Sequence, residues 1–199
     1  MIQDFIKKVG EFHDAFGVQR GNVDVELRYK LFKEEFEEYL EGYNAYLQNL
    51  EYFTNKKGEY AHTFTYMVDA ICDMLYITSG SIDLHECNYF KETIYKKATK
   101  EYTLKCISKY SDLYNKNPAS FYLHNLIDEV FTLAYIDKVH KLLPQLFEEV
   151  HLSNLSKLDE NGKPIINDGI LDPSKPIGKI LKGKNYFEPR LKEILENGN

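Results

Sequence analysis

The chain has 199 residues, 43% of them hydrophobic and 28% charged, with a net charge of −6 at pH 7. This composition excludes a disordered chain, and the acidic balance argues against a stable nucleic-acid partner. Because the three cysteines have no C-x-x-C spacing and no apolar run is long enough for a secretory signal or a membrane span, we expect a single cytoplasmic domain without disulfides.

Proline and glycine divide the sequence into a helical body and an irregular tail. No proline occurs before Pro118, and four of the six prolines lie after residue 160. Because proline breaks helices, the sequence predicts an all-α fold whose body extends to about residue 157. The tail, 158–199, is predicted to be irregular and hairpin-like, with a short final helix over 189–196.

The body is predicted to contain several long helices. They cover about 2–16, 25–48, 61–79 and 83–117, and one or two more follow before residue 157. Gly17 is predicted to end the first helix, a turn is predicted around Lys57 and Gly58, and Gly80 is predicted to be the C-cap of the third helix.

The second helix carries the motif KEEFEEYLEG, which places Glu34, Glu35 and Glu38 within about one turn of each other. On a helical wheel, Leu27 and Leu31 share a side with two of these glutamates. This mixture predicts partly buried acids on a helix that is covered on two sides. The alternative is a solvated acidic face, which is the usual meaning of a charge run.

The third helix is apolar on every side except at Asp69 and Asp73, and such a helix is buried. Buried carboxylates need partners, yet no Lys, Arg or His occurs in 63–79. The partners are therefore basic side chains from elsewhere, as in ordinary bundle salt bridges, or metal ions. A cluster of oxygen donors favours Mg²⁺, with Mn²⁺ as a substitute, over zinc.

Two antiparallel helices would bring the two acidic motifs together. Divalent cations held there could activate water and neutralise the charge of a phosphate chain. The sequence therefore favours hydrolysis of polyphosphate esters.

These motifs, in this order, resemble those of the all-α nucleoside triphosphate pyrophosphohydrolases, the MazG-like group. EFHDAFG, EVHLSNLSKL and GKILKGKNYFEP add to the likeness, which covers about 1–80 and 145–199. The resemblance implies a MazG-like helical bundle, completed in a homodimer or homotetramer. It also implies a reaction in which a (d)NTP is cleaved to (d)NMP and pyrophosphate. The metal ligands that it implies are Glu34, Glu35, Glu38 and Asp73.

The chain departs from this family in two places. Many relatives have an acidic residue at the position of Ala70, and we expect Asp69 to replace it. The segment from Gly80 to Glu149 is also longer than usual, so we expect an inserted helical hairpin over about 88–130.

Substrate-binding residues are expected in two later segments. The family likeness places Asn154 and Lys157 on the substrate phosphates. The segment from Lys163 to Lys192 has seven basic and three acidic residues, and within it Lys182 and Tyr186 are the candidates. The alternatives are an exposed helix end and a mobile tail that only balances charge.

The leading hypothesis is a Mg²⁺-dependent nucleoside triphosphate pyrophosphohydrolase. Glu34, Glu35, Glu38, Asp69 and Asp73 would hold the metal ions, and Glu35 and Glu38 are the candidate catalytic residues, with Glu35 orienting or deprotonating the attacking water. One alternative is a phosphoribosyl-ATP pyrophosphohydrolase. Another is a helical interaction module that has kept the bundle without catalysis, which the departure at position 70 and the insertion would favour.

Overall fold

The structure, a computed structural model, describes residues 1–52, 57–89 and 97–198. Within these residues it contains seven helices: α1 (Ile2–Ala15), α2 (Val25–Tyr52), α3 (Lys57–Leu84), α4 (Lys100–Lys116), α5 (Ser120–Ile136), α6 (Leu143–Leu155) and α7 (Leu191–Asn197). The remaining described residues form turns and loops, with one isolated antiparallel bridge between Ile166 and Ile180. The predicted all-α fold with an irregular C-terminal tail is therefore confirmed.

Helix α1 ends and helix α2 begins where the flanking residues predict, whereas α2 extends to Tyr52, beyond the predicted end at about residue 48. Gly17 follows α1 with a φ of +66°, a left-handed conformation that glycine adopts without strain. Asp24 precedes α2, and its Oδ1 accepts a hydrogen bond of 2.9 Å from the backbone N–H of Leu27. This side-chain cap satisfies one of the free N–H groups at the helix start.

Helix α3 is longer than predicted, and the assignment of Gly80 as its C-cap was wrong. The helix continues to Leu84. A Cβ atom at Gly80 would lie 2.6 Å from Arg28 Nη2 and 2.9 Å from Val9 Cγ1. Gly80 therefore permits α1 and α2 to approach α3 closely. The predicted turn at Lys57 and Gly58 was also wrong, because both residues belong to α3.

The predicted continuous helix over 83–117 was wrong as well. The described residues between Leu84 and α4 are not helical, and Glu86 has a φ of +51°. Helix α4 begins only after Thr99, whose Oγ1 accepts a hydrogen bond from the backbone N–H of Tyr102. Part of the predicted helix, 90–96, lies outside the described residues.

Helices α4 and α5 pack on each other, in the region where the sequence predicted an inserted hairpin, and α5 also packs on α3. Phe131 of α5 is 1% exposed and stacks on Phe5 of α1 with ring centroids 5.9 Å apart. Phe5 in turn stacks on Phe147 of α6 at 3.8 Å. Helix α5 is therefore part of the main core, and the origin of the hairpin as an insertion stays a prediction.

The central element is α3, which contacts α1, α2, α5, α6 and α7. It is antiparallel to α2: Gly42 approaches Met67 near one end of the pair, and Arg28 contacts Ile77 and Ser81 near the other. Among the helices that the structure describes, none combines the length and the apolar character that crossing a membrane requires.

Candidate functional site

A cavity of about 510 Å³ lies between α2, α3, α6 and the tail. Every residue that the sequence nominated for the site lines this cavity: Glu34, Glu35, Glu38, Asp69, Asp73, Asn154, Lys157, Lys182 and Tyr186. Four separate segments of the chain supply these residues. Side chains that are far apart in the sequence are thus brought to one place by the packing of α2, α3 and α6 under the tail.

The glutamates of α2 occupy the edge of the helix beside the cavity. Phe32 and Phe36 are each 3% exposed and fix the opposite face of α2 in the core. Glu34, Glu35 and Glu38 are half-buried, which confirms partly buried acids on a helix covered on two sides. The alternative of a fully solvated acidic face is wrong.

Helix α3 contributes Asp69 and Asp73, one turn apart and both half-buried. Its neighbouring residues are almost completely inaccessible: Val68, Ile71, Cys72, Met74 and Leu75 are each 0% exposed. The two aspartates therefore interrupt a buried helix at the surface where it meets the cavity. The hydroxyl of Tyr66, also on α3, reaches across to hydrogen-bond the Glu38 carboxylate.

The surroundings of Glu35, Asp69 and Asp73 disfavour the ionised form of each carboxyl group. Burial, followed by the negative charges of Asp73 and Glu38, raises the pKa of Glu35. Burial is also the largest cause that raises the pKa of Asp69 and the pKa of Asp73. These carboxylates repel each other in a poorly solvated cavity wall, so the group is short of positive charge.

Glu34 differs from its neighbours because it has direct basic partners. Its Oε2 lies 2.6 Å from Lys179 Nζ, and its Oε1 lies 3.4 Å from Lys175 Nζ. Burial raises the pKa of Glu34, but the hydrogen bonds and charges of the two lysines outweigh that effect, and the net shift is downward. Glu34 is thus held in its charged form by the tail.

The cavity lining also contains basic residues. Lys157 on the turn after α6 donates a hydrogen bond from Nζ to Oδ1 of Asn154, which is 7% exposed. Burial lowers the pKa of Lys157, and the charge of Asp73 acts in the opposite direction. In the tail, Lys182 Nζ lies 4.3 Å from the centroid of the Tyr186 ring, a cation–π contact.

Three further charged residues of the cavity were missed from the sequence: Asp172, Lys175 and Lys179. Their position depends on Asn167, which is 1% exposed and organises the loop that carries them. Its Nδ2 donates to the carbonyl oxygens of Asp172, Lys175 and Pro176, and its Oδ1 accepts from two backbone N–H groups. The excess of lysines in the tail was the available signal, but spacing alone did not show which of them turn inward.

The donor set of the cavity suits a hard divalent cation, because six carboxylates line it, the five nominated ones and Asp172. In the described part of the chain, however, no three Asp, Glu, His or Cys side chains are grouped closely enough to form a finished metal site. Binding of a cation would therefore require carboxylate side chains to change rotamer and close on it. A cation would also relieve the repulsion that raises the pKa of Glu35.

A smaller cavity of about 250 Å³ adjoins the acidic one and shares Glu35, Asp73, Asn154, Lys157 and Lys179 with it. The rest of its lining is largely apolar, from α1, α2 and α3, and includes Phe12, Leu27, Leu31, Tyr76 and Ile77. The two cavities together thus combine a charged compartment with an apolar one.

Comparisons of the chain with protein families, with curated proteins and with solved structures find no match.

Proposed function

We propose that this protein is a Mg²⁺-dependent nucleoside triphosphate pyrophosphohydrolase, which cleaves (d)NTP between the α- and β-phosphates to (d)NMP and pyrophosphate. The observation that carries the proposal is the convergence of all nine nominated residues on one cavity. Its lining combines carboxylates for a divalent cation with lysines for phosphate oxygens. The likeness to the MazG-like motifs supplies the reaction.

The proposed roles follow from the position of each side chain. Glu34, Glu35, Glu38, Asp69 and Asp73 would hold Mg²⁺, or Mn²⁺ in its place, which when bound would polarise phosphate oxygens and lower the pKa of a water molecule. Lys157, Lys182 and Asn154 would bind the phosphate chain, and Tyr186 would pack against the substrate.

Glu35 is the proposed general base. Its carboxylate lines both cavities, between the acidic compartment and the apolar one. Burial and the charges of Asp73 and Glu38 raise the pKa of Glu35, and a bound cation would counter this effect, so that the carboxylate would be ionised and able to accept a proton from the attacking water. Glu38 accepts a hydrogen bond from the Tyr66 hydroxyl. It would keep its negative charge beside Glu35 during the proton transfer.

The apolar cavity is the proposed site for the nucleoside part of the substrate. It is continuous with the acidic cavity through shared residues, and it offers the aromatic rings of Phe12 and Tyr76. Binding pockets for small molecules are typically apolar with a few polar groups that fix orientation. The phosphate chain would lie in the acidic cavity and the base and sugar in the apolar cavity, so that one substrate would occupy both cavities.

The family likeness extends the proposal to a cytoplasmic enzyme that assembles as a homodimer or homotetramer. The second candidate function is hydrolysis of phosphoribosyl-ATP, which requires the same phosphate chemistry. The third, a helical interaction module, requires none of it, so that an assay of catalysis separates it from the other two.

The decisive experiment is to incubate the protein with Mg²⁺ and a panel of NTPs, dNTPs and phosphoribosyl-ATP, and to measure pyrophosphate. We expect release from at least one nucleotide and none in the presence of EDTA. Release from phosphoribosyl-ATP alone would select the second candidate. Absence of release from every compound, with helical circular dichroism intact, would contradict the proposal and favour the interaction module.

Two matched variants test the assignment of the site. Glu38→Gln removes a carboxylate that lines the cavity, whereas Glu37→Gln removes an exposed carboxylate of the same helix that does not. We expect E38Q to lower kcat/KM by at least about 100-fold, equivalent to roughly 3 kcal/mol of transition-state stabilisation. E37Q should retain wild-type activity, and an E38Q enzyme as active as E37Q would refute the ligand assignment.

A further inference from the structure

We propose that Lys179 is a substrate-phosphate-binding residue that exchanges partners: it leaves Glu34 when a divalent cation binds that carboxylate, and then pairs with a phosphate of the nucleotide. This inference rests on the proposed function and adds to it a residue outside the sequence motifs. The juxtaposition that carries it is the 2.6 Å contact between Lys179 Nζ and Glu34 Oε2 at the wall of the acidic cavity.

A bound cation and two lysines would compete for the carboxylate of Glu34. Both of its carboxylate oxygens already face lysines, Oε2 at 2.6 Å and Oε1 at 3.4 Å. A cation that takes Glu34 as a ligand therefore competes with Lys179 and Lys175 for these oxygens, and its positive charge repels both lysines. The replacement is favourable because a divalent ion brings both charges into direct contact with the Glu34 oxygens and is also attracted by the other carboxylates of the cavity.

Lys179 would remain next to the cavity after it leaves Glu34. Its side chain is 22% exposed and lines both the acidic cavity and the apolar one. Its charge also acts on Asp73 and Glu35, which places Nζ within electrostatic range of the whole carboxylate group. A lysine displaced from Glu34 thus remains beside the compartment in which a phosphate chain would lie.

Two hydrogen bonds hold the backbone of Lys179 in place. The N–H of Lys179 donates to the carbonyl of Pro176 at 3.1 Å, and its carbonyl accepts from the N–H of Asn167 at 2.9 Å. These bonds fix the main chain on both sides of the Cα atom. Exchange of partners therefore needs only rotation of the four-carbon side chain, without refolding of the tail.

The exchange predicts opposite effects of one substitution on two ligands. Lys179→Gln removes the competitor of the cation, so Mn²⁺ alone should bind about threefold more tightly, the scale of a partly exposed salt bridge. The same variant should bind a non-hydrolysable nucleoside triphosphate analogue, with Mn²⁺ present, about tenfold more weakly, because a charged hydrogen bond is lost. Isothermal titration of the full-length protein measures both.

Two controls separate exchange from a general change of charge. Lys184→Gln alters the same tail, but Lys184 does not line the cavity and pairs with Glu160 at 3.3 Å, so both affinities should stay at wild-type values. In a Glu34→Gln background no salt bridge remains to be broken. There Lys179→Gln should tighten Mn²⁺ binding by clearly less than it does beside Glu34, because only the longer-range charge on Asp73 and Glu35 is lost, and an equal gain in both backgrounds would overturn the exchange.

The proposal is also overturned if wild-type protein binds no Mn²⁺, if K179Q leaves either affinity unchanged, or if K184Q reproduces its effects. These readouts measure binding and need no turnover. A protein that releases no pyrophosphate, yet shows both shifts in K179Q, would refute the proposed function while supporting the exchange.

Discussion

Ala70 and Asp69 are adjacent in α3 but belong to different environments. Ala70 is 2% exposed and lies in the hydrophobic core, whereas Asp69 is half-buried and lines the acidic cavity. A helix turns by about 100° per residue, so a side chain at position 70 points away from the cavity that position 69 faces. Of these two positions, only 69 therefore presents its side chain to the cavity proposed as the metal site.

Ala70→Glu should therefore destabilise the protein and should not improve the site. The new carboxylate would enter a core position without room or a partner, at a cost of roughly 3 kcal/mol or more. Urea denaturation measures this change. Asp69→Glu is the matched control, since it lengthens an acid that already lines the cavity, and it should keep near wild-type stability. A stable A70E variant with raised activity would contradict this description of α3.

Stability without divalent cations should fall as pH rises above neutrality. Burial and neighbouring charges raise the pKa of Glu35 from 4.5 to about 9, so between these values the folded state holds a proton that the unfolded state has lost. Stability then decreases with pH by at most about 1.4 kcal/mol per unit for this group. Melting temperatures in EDTA at about pH 7 and about pH 8.5 test this slope.

Glu35→Gln should remove most of that slope, because the glutamine does not titrate. The lower pH of the comparison stays above the range of His13, whose pKa is lowered by burial. Excess Mg²⁺ should also flatten the wild-type slope if the carboxylates hold it. Equal slopes in EDTA for the wild type and E35Q would show that Glu35 is not the group responsible.

Gly80→Ala should destabilise the junction of α1, α2 and α3. The added methyl group would meet Arg28 Nη2 at 2.6 Å and the buried Val9 at 2.9 Å, and overpacking of this kind costs about 1–3 kcal/mol. Gly10→Ala is a suitable control, since its Cβ would approach the ends of Arg20 and Asp83 no closer than 3.2 Å. Equilibrium unfolding should rank G80A well below G10A, and the reverse order would contradict the close approach.

Glu149→Gln should weaken the attachment of the tail to α6. Glu149 accepts hydrogen bonds from Nε of Arg190 at 2.9 Å and from its backbone N–H at 3.1 Å. The Arg190 hydrogen bond lowers the pKa of Glu149, so its stabilising effect is present above the ordinary glutamate range and is lost as pH falls through the lowered value. We expect a loss of about 1–2 kcal/mol at neutral pH.

The pH dependence distinguishes this effect from a packing defect. Below the lowered pKa the wild-type carboxyl is itself neutral, so the difference between the wild type and E149Q should shrink in acid. Glu196→Gln is the control, because Glu196 is exposed and pairs only loosely with Lys192, at 3.8 Å. A difference that persists unchanged at acid pH would indicate packing as the cause.

The sequence was sufficient for the features that depend on local pattern. Proline placement predicted where the helical body ends, and the leucines beside Glu34 and Glu38 predicted acids that are half-buried. Gly80 was misread because a glycine near a helix end has the same local signal whether it caps the helix or permits close packing. The deciding contact, with Arg28 and Val9, comes from two other helices.

The tail was less predictable for the same reason. Lys182 could be nominated from the excess of basic residues in the tail, whereas the contact of Lys179 with Glu34 joins residues 145 positions apart in the sequence. No periodicity relates residues so far apart. Helix α5 illustrates the same limit in the core, since only the packed structure shows Phe131 against Phe5.

The loop that Asn167 organises has a consequence for how this chain can vary. One amide side chain makes five hydrogen bonds within this loop, so tolerance to mutation should differ strongly between positions along 166–179. Solvent-facing members such as Ile170, 83% exposed, would accept almost any replacement. Asn167 itself would accept almost none, since even aspartate lacks the N–H donors that three carbonyl oxygens share.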